Sequence, residues 1–523
     1  MPALADRAEA ALPRDASRRA MRLLILGCYA AALVMLAWPI AQVANPMLAD
    51  YPNHLARQFV AGSLPENALL AQHYVARHDF YPYLPMDLIV GALRPLIGLE
   101  ASGKVFLVIA LLMPVAGTMA LARVLHGRIG LWPLASTLFV YNLMLAWGFT
   151  TYLFSAGLGL CTFAGWIATD RWSWPARLAL FAAASIILFC SHPFAFAAYG
   201  LLLGSWEIGR TEAWTRPALL ATARRLGLVA LQSVPPLVIA LRLPHADIGN
   251  DATLYGTLGS RLLSAFSPFL FAVDFGEAVC LVLLIAAFVV ALRSGAVTFD
   301  RRLAWPVGVF GFASLVMPQT LSGIYLVHFR LPLLFVLLLI LACRPQPQAP
   351  RTVALSLAAI LMMLMLRTSI AADRLGEADR NIAELRAAAA AIAPGARVLP
   401  TMSQDRFGNL PAYHYWHTAA YLTIDRSAYS PLLFSYFSID VVPSLKAASA
   451  PATSPVRFEA LLTQEGEPER VKPGPGQLRY WSAWRRVFDY VVDFDSGIAP
   501  AEIPQELSVV HRGRTFTIYK IVK

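Results

Sequence analysis

The sequence predicts a polytopic α-helical membrane protein with about eleven transmembrane helices and a small C-terminal α/β domain outside the membrane. Three observations lead to this fold class. Of the 523 residues, 58% are hydrophobic and only 14% are charged, whereas soluble proteins average about 45–50% apolar and about 25% charged residues. The apolar residues form long runs, and arginines cluster between the runs. An apolar surplus of this size excludes a soluble enzyme.

Ten apolar runs are candidates for spans, because a bilayer core needs about 20 apolar residues per helix. They cover residues 23–43, 104–122, 131–148, 151–169, 176–206, 226–243, 276–293, 303–320, 326–343 and 352–371. The run 176–206 is long for one helix and short for two. We predict a break at Ser191-His192-Pro193, because proline begins a helix more readily than it continues one.

The arginines fix the orientation of these spans. Eighteen of them lie in connections that the positive-inside rule assigns to the cytoplasm: Arg7, Arg14, Arg18, Arg19, Arg22, Arg123, Arg128, Arg171, Arg177, Arg210, Arg216, Arg224, Arg225, Arg293, Arg301, Arg302, Arg344 and Arg351. They share one side only if neighbouring clusters are separated by an even number of spans. This condition excludes residues 84–98 as a span, and we expect an amphipathic helix on the membrane surface there. The N-terminus is then cytoplasmic and the C-terminus periplasmic.

Two regions lie outside the membrane in this topology. The first is the periplasmic loop 44–103, which carries two surface helices and belongs to the transmembrane module, residues 1–371. Residues 372–523 form a periplasmic α/β domain, with a helix predicted over 374–393. Period-two apolar patterns predict strands at 397–401 and 490–494 and a hairpin of 508–510 with 515–521. Residues 444–478, rich in Pro, Gly, Ser and Glu, predict a loop.

The chain lacks the sequence patterns of several common functional sites. Its five cysteines lie in apolar stretches without CxxC or histidine spacing, which favours buried free thiols over a disulfide or metal framework. No Walker loop, dinucleotide fingerprint or zinc spacing is present. A nucleotide-sugar enzyme or an ATP-driven transporter is therefore unsupported, and the net charge of +11 reflects orientation in the membrane rather than nucleic-acid binding.

The first periplasmic loop contains the most chemically suggestive cluster. Asp50, His54 and Arg57 are spaced to lie on one face of a helix. A carboxylate, an imidazole and a guanidinium could together deprotonate a hydroxyl and hold a phosphate or a metal. The structural alternative is that Asp50 caps the helix while His54 and Arg57 form a solvated face.

Arg330 is the basic residue that lies well inside a predicted span, and such an arginine requires a partner or water. The predicted orientation places it near the outer surface, where it could bind a phosphate or extend to the interface without a ligand. His192 lies at the outer turn of the predicted hairpin and could either neutralise a phosphate or cap the turn.

Other residues outside the membrane offer weaker candidates. The histidines of the YHYWH segment at 413–417 could bind a metal, and its aromatic side chains could stack on a sugar, although core packing explains them equally. Asp79 and Asp87 share the first loop with Asp50 and are the preferred candidates for a second acid. Further carboxylates on this side are Asp247, Asp251, Asp274 and Glu277.

The order of these features resembles the GT-C superfamily of membrane glycosyltransferases, in particular its bacterial branch. The resemblance rests on a first span, a long outer loop with an early aspartate, surface helices and a soluble C-terminal domain. It includes the segments DYPNH at 50–54, YPYLP at 81–85 and IAPGARVL at 392–399. Members use polyprenyl-phosphate-linked sugars as donors. The resemblance therefore implies a GT-C-like fold and makes Asp50 the candidate general base.

The function predicted from these residues and this resemblance is an inverting glycosyltransferase at the outer face of a bacterial inner membrane. Asp50 would act as the base, and His54, Arg57, His192 and Arg330 would bind substrate or phosphate. The expected partners are a polyprenyl-phosphate-linked sugar, the lipid bilayer and a glycan, lipid or protein acceptor. No cofactor is certain, and a divalent metal, Mg²⁺ or Mn²⁺, stays open. The alternatives are a non-enzymatic transporter or lipid-flipping protein, and a polysaccharide polymerase or ligase.

Overall fold

The structure is a computed structural model. It describes residues 14–127, 129–211, 213, 215–243, 253–322, 324–346, 350–402, 415–435, 438–451, 455–463, 480–494 and 503–523. The bundle contains α1 (Arg14–Ala41), α5 (Leu99–His126), α6 (Leu143–Ala146), α7 (Thr150–Ala168), α8 (Trp174–Ser191), α9 (Pro193–Gly209), α10 (Arg216–Arg242), α11 (Leu258–Phe266), α12 (Phe275–Arg293), α13 (Ala304–Val316), α14 (Arg330–Ala342) and α15 (Pro350–Ala388). The first outer loop contains α2 (Tyr51–Ser63), α3 (Ala68–Ala71), β1 (Tyr74–Ala76) and α4 (Leu84–Ile97). The short strands β2 (Val297–Phe299) and β3 (Cys343–Pro345) pair with each other.

The structure confirms a mainly helical protein with long apolar helices where the sequence predicts spans. Seven helices in the described part of the chain are long and apolar enough to cross a membrane: α1, α5, α7, α8, α10, α12 and α15. The remaining predicted spans correspond to shorter helical segments, α9, α13, α14 and the segment 132–146. The total of about eleven crossings stays a prediction.

The segment 131–148 differs from the single helix that its apolar run predicts. It forms a 3₁₀ helix, Trp132–Phe139, followed by the one-turn helix α6. Asn142 causes the interruption, because its side-chain oxygen accepts a hydrogen bond from the Leu145 N–H at 2.9 Å and begins a new helix. Hydropathy cannot detect such a break, since Asn142 is the only strongly polar residue in the run.

The predicted break at His192 is confirmed. Helix α8 ends at Ser191 and α9 begins at Pro193, with His192 extended between them. The Phe194 N–H donates to Nδ1 of His192 at 3.2 Å, so this histidine caps α9. Proline at the first position needs no hydrogen-bond acceptor for its nitrogen, which explains why α9 starts there.

The arginine-rich helix ends meet at one end of the bundle. Arg210 pairs with Asp170 at 2.8 Å, and Arg225 pairs with the buried Glu207 at 2.8 Å. A second group, Arg302 and Arg344, pairs with Asp300, and Arg302 also donates to the Leu125 carbonyl. Gly209 lies against Trp305 and thereby joins the two groups. We call this the arginine end; its convergence agrees with one cytoplasmic side, although the orientation itself stays a prediction.

The tail forms a small sheet with surrounding short helices. Its strands are β4 (Val398–Met402), β6 (Tyr490–Phe494), β8 (Phe516–Ile521) and β7 (Leu507–Arg512), in that spatial order. β4 and β6 are parallel, and the other two pairs are antiparallel. All predicted strands are therefore present, including the terminal hairpin. The tail also contains β5 (Ile439–Val441), α16 (Ala420–Arg426), α17 (Phe458–Thr463) and α18 (Trp484–Val487).

The bundle, the first outer loop and the tail pack together more closely than the sequence predicts. Helix α15 has 39 residues and continues from the last predicted span through the stretch predicted as a separate helix. Strand β1 of the outer loop pairs antiparallel with β5 of the tail. Helix α2, expected on the membrane surface, is buried between the bundle and the tail. Its Tyr51 packs where Gly103 of α5 leaves room for the ring.

Candidate active site

Asp50 lies at the start of α2, where a tight backbone contact holds it. The Asp50 N–H donates to the Trp147 carbonyl at 3.1 Å, and the Ala49 N–H donates to the Ala146 carbonyl at 2.9 Å. Gly148 makes this approach possible: its φ is +82°, and a Cβ there would lie 2.7 Å from the Asp50 nitrogen. The Asp50 carboxylate makes no capping hydrogen bond. It is therefore positioned for another use.

The Asp50 carboxylate faces a histidine from the tail. Its Oδ1 lies 3.4 Å from Nε2 of His417, whose side chain is only 2% exposed, and the Asp50 side chain is 16% exposed. His417 belongs to the YHYWH segment, which the sequence suggests as a metal or sugar site. His414 of that segment lies outside the described residues. Among the described residues of the segment, the structure thus brings His417 to the predicted base.

Arg330 lies at the N-terminus of α14 in an aromatic pocket. The residue is 7% exposed, and its guanidinium carbon lies 5.2 Å from each of the Phe149 and Phe194 ring centroids. The Tyr152 hydroxyl donates to the Arg330 carbonyl oxygen and fixes the start of the helix. Of the groups close enough to act electrostatically on the guanidinium, Asp50 is the carboxylate. Asp50 and Arg330 therefore share one region at the end of the bundle opposite the arginine end.

The Arg330 guanidinium lacks a carboxylate partner among the residues that the structure describes. Its one recorded hydrogen bond is a long one, 3.5 Å from Nη2 to the Tyr325 carbonyl, and Nε is buried without a partner. A buried cation needs an opposite charge or strong hydrogen-bond acceptors. The pocket is thus suited to an anionic group of a ligand.

His192 and Tyr83 complete the wall of this pocket. The His192 ring lies 4.8 Å from the Tyr83 ring and 5.4 Å from the Tyr152 ring. Since Nδ1 of His192 accepts from a backbone N–H, its proton is on Nε2, which can donate to a ligand. Tyr83 has φ +79°, a strained conformation for a non-glycine residue. Such strain is concentrated at functional sites.

His54 lies beside Asp50 but is uncharged at neutral pH. Its half-buried ring meets the Phe434 ring at 4.8 Å. Burial, followed by the positive charge of Arg57, lowers the pKa of His54 to about 4. His54 can therefore contact a substrate as a hydrogen-bonding group, but it does not supply the positive charge that was expected for phosphate binding.

Arg57 and Asp87 are engaged with each other. Arg57 is 2% exposed, and its Nη2 lies 2.5 Å from the Asp87 carboxylate. Gln58 and Tyr81 also donate to Asp87, and Arg57 donates to the Ser438 hydroxyl of the tail. This cluster ties α2, α4 and the tail together. It leaves neither Arg57 free to bind phosphate nor Asp87 free to act as a second acid.

The other predicted acids are also engaged elsewhere. Asp79 is 60% exposed and pairs with Arg77. Asp274 caps α12, and Glu277 accepts from the Phe271 and Val273 N–H groups and pairs with Arg367. Asp247 and Asp251 lie outside the described residues. Within the described ranges, no group of three or more histidine, cysteine, aspartate or glutamate side chains could hold a metal ion.

Sequence reasoning missed the aromatic part of the site. Phe149 and Tyr152 lie at the start of α7, Phe194 at the start of α9 and Tyr83 just before α4. Aromatic residues are common throughout the apolar runs. Only the positions of Phe149 and Phe194, each next to a predicted helix break, could have indicated a common end of the bundle. Asn53 was also missed, because nothing in its local sequence indicates a contact with residue 417.

Comparisons with known proteins give one structural likeness. No protein-family model matches the chain, and no curated protein is similar to it in sequence. Among solved structures, the chain is similar to a crystal structure of ArnT from Cupriavidus metallidurans in the apo state. The two are 14% identical, with a TM-score of 0.49, over 96% of this chain and 98% of that chain. A likeness at this level supports no conclusion about substrate or mechanism.

Proposed function

We propose that the protein is an inverting glycosyltransferase that moves a sugar from a polyprenyl-phosphate donor to an acceptor hydroxyl. The observation that carries this proposal is a buried arginine without a carboxylate partner in the described structure, Arg330, within electrostatic range of a carboxylate that caps nothing, Asp50. An anion site beside a base is what transfer from a sugar phosphate requires. The resemblance of the first-loop sequence to GT-C enzymes agrees with it.

The proposed reaction is a single displacement. The acceptor hydroxyl gives its proton to Oδ2 of Asp50 while its oxygen forms a bond to the anomeric carbon. The bond between that carbon and the phosphate oxygen breaks, and its electron pair leaves with the polyprenyl phosphate. Arg330 stabilises the departing negative charge, with the Nε2 proton of His192 as a second donor. Attack opposite the leaving group inverts the anomeric centre.

The site lies where a lipid-linked donor could reach it. Arg330 begins α14, one of the bundle helices, and α11 beside it exposes the apolar side chains of Leu258, Leu262 and Phe266. The positive-inside rule would place this end at the outer face of a bacterial inner membrane, with the tail in the periplasm. The acceptor, whether glycan, lipid or protein, would approach from the side of the tail.

The test is sugar transfer in membranes that contain the overproduced protein. Synthetic polyprenyl-phosphate-linked hexoses and pentoses are supplied as donors, and release of polyprenyl phosphate is measured with and without EDTA to determine metal dependence. Asp50→Asn removes the base and should lower kcat by about 100- to 10,000-fold. Asp79→Asn, the same change at an exposed ion pair, should retain activity. Equal activity of Asp50→Asn and wild type at equal protein level would contradict the assignment.

A further inference from the structure

Beyond the proposed base itself, the structure shows a hydrogen-bonded network beside it. The network joins the tail backbone, Asn53 and His417, and the imidazole of His417 faces the Asp50 carboxylate. Asn53 is 1% exposed and His417 is 4% exposed. The Phe434 N–H donates to Oδ1 of Asn53 at 2.9 Å, and Nδ2 of Asn53 donates to the Leu432 carbonyl at 2.8 Å. Nδ2 also lies 2.9 Å from Nδ1 of His417.

These contacts determine the protonation of the imidazole. A backbone N–H can only donate, so the atom of Asn53 that meets Phe434 must be the oxygen. The other atom is therefore the amide nitrogen, which has two protons, one for the Leu432 carbonyl and one for Nδ1 of His417. Nδ1 is then an acceptor, and the proton of the neutral ring is on Nε2. The Nε2 atom that carries this proton is 3.4 Å from Oδ1 of Asp50.

The surrounding side chains hold the imidazole in this position. The Phe434 ring meets the His417 ring at 5.2 Å and the His54 ring at 4.8 Å. The neighbouring Trp416 meets Trp147 at 5.2 Å, and the Trp147 carbonyl accepts the Asp50 N–H. The tail therefore contacts both the side chain and the backbone support of Asp50. The charged and titratable groups near the pair include His54, Arg57, Asp87 and Arg330.

We propose that His417 is a positioning residue for the catalytic base, fixed by Asn53 as the Nε2–H tautomer so that it donates to Oδ1 of Asp50. Donation to Oδ1 stabilises the charged carboxylate and directs Oδ2 to the acceptor hydroxyl. The tail domain thereby completes the base, which no segment of the transmembrane module could do alone. This inference rests on the proposed role of Asp50, although the tautomer can be tested without it.

The activity test compares substitutions at both residues in the full-length protein. His417→Leu removes the donor and should lower kcat about a hundredfold with little change in the donor KM. His417→Gln keeps an amide donor and should recover much of the rate. His78→Gln, at an exposed histidine of the first outer loop, is the control and should match wild type.

The tautomer test does not depend on activity. Protein labelled with [¹⁵N]histidine is examined by NMR in detergent, and His417→Gln identifies the resonance of His417. Wild type should show the Nε2–H tautomer, whereas Asn53→Asp should place a proton on Nδ1, because a carboxylate only accepts. An Nδ1–H tautomer in the wild type would overturn the proposal. So would an unchanged kcat in a folded His417→Leu variant, when wild type is active.

Discussion

Asp50 occupies the N-terminal capping position of α2 and yet leaves the helix N–H groups without its help. A capping aspartate ordinarily contributes about 1 kcal/mol to stability. Here the carboxylate instead meets His417 and acts on Arg330. Arg330 likewise lacks a described ion-pair partner that would stabilise its burial. Residues that omit stabilising contacts of this kind are typical of functional sites, where stability and activity compete.

Gly148 is the residue on which the position of Asp50 depends. We expect Gly148→Ala to lower the free energy of unfolding by more than about 1–2 kcal/mol. A positive φ alone destabilises a residue that has a β-carbon by about that amount. In addition, the new methyl group would lie 2.7 Å from the Asp50 nitrogen. Thermal unfolding and the transfer rate are the measurements. Gly91→Ala is the matched control, since a Cβ there meets nothing within 4 Å. Equal stability of the two variants would show that the close contact is not required.

His54 predicts a dependence of stability on pH. Its folded pKa of about 4 is below the ordinary value of about 6.5. Its contribution to stability is therefore complete above pH 6.5 and is lost as pH falls towards 4, because the unfolded chain takes up the proton first. His54→Gln should unfold at a temperature that falls less between pH 7 and pH 5 than in the wild type. Parallel curves for the two proteins would exclude a buried neutral His54.

At the scale of elements, the fold follows from sequence where the signal is local. The structure contains the predicted helices of the apolar runs, the predicted break at His192 and the predicted strands of the tail. The continuity of α15 was missed, because a change from apolar to polar composition does not interrupt a helix. The pairing of β1 with β5 joins residues more than 360 positions apart, and three-residue strands carry no detectable pattern. Such contacts depend on the assembled molecule.

In the candidate site, too, local features could be predicted from the sequence and long-range contacts could not. His192 and Arg330 were predicted from residue type and topology, and Asp50 from its spacing together with the resemblance to GT-C enzymes. The structure brings the three residues together. Helical spacing placed Arg57 on the side of Asp50 but could not show that α4 supplies Asp87 to it. His417 was noticed as a histidine, yet its partner Asn53 lies 364 positions away. The chemical type of a residue is known from its position in the sequence, whereas the residue that it contacts in the fold is not.

Arg386 of α15 is the main polar connection between the bundle, the outer loop and the tail. It pairs with Asp425 at 2.6 Å and Glu100 at 3.2 Å and donates to Asn45 at 2.8 Å. We expect Arg386→Gln to cost about 1.5–3 kcal/mol, the range for hydrogen bonds to charged groups, and to expose the tail to limited proteolysis. Arg374→Gln, which loses only the pair with Glu377 in the same helix, is the control. Equal protease resistance of the two variants would contradict this role.

At the scale of the whole molecule, the two ends of the bundle are chemically different. The arginine end contains ion pairs built around Asp170, Glu207 and Asp300. The opposite end contains Asp50, Arg330 and the tail. This polarity is what a membrane enzyme needs if its basic loops fix the orientation while its site opens on the other side.

The predicted orientation can be measured by labelling introduced cysteines. Asp79→Cys and Ser294→Cys are both exposed positions, one in the first outer loop and one at the arginine end. An impermeant maleimide should label residue 79 in spheroplasts, and residue 294 only after the membrane is opened. The native cysteines are buried or half-buried, and the unsubstituted protein gives their background. Labelling of residue 294 first would reverse the proposed topology.

We propose that Arg330 binds the phosphate of a lipid carrier while Asp50 performs the chemistry beside it. The most direct test of these two roles is the affinity of the detergent-purified protein for polyprenyl phosphate without a sugar. Arg330→Gln should raise Kd by about 10- to 150-fold, since charge-assisted hydrogen bonds contribute about 1.5–3 kcal/mol, and Arg77→Gln should not. Asp50→Asn should bind polyprenyl phosphate at least as tightly as wild type while sugar transfer is lost. An unchanged Kd in Arg330→Gln would contradict phosphate binding by Arg330.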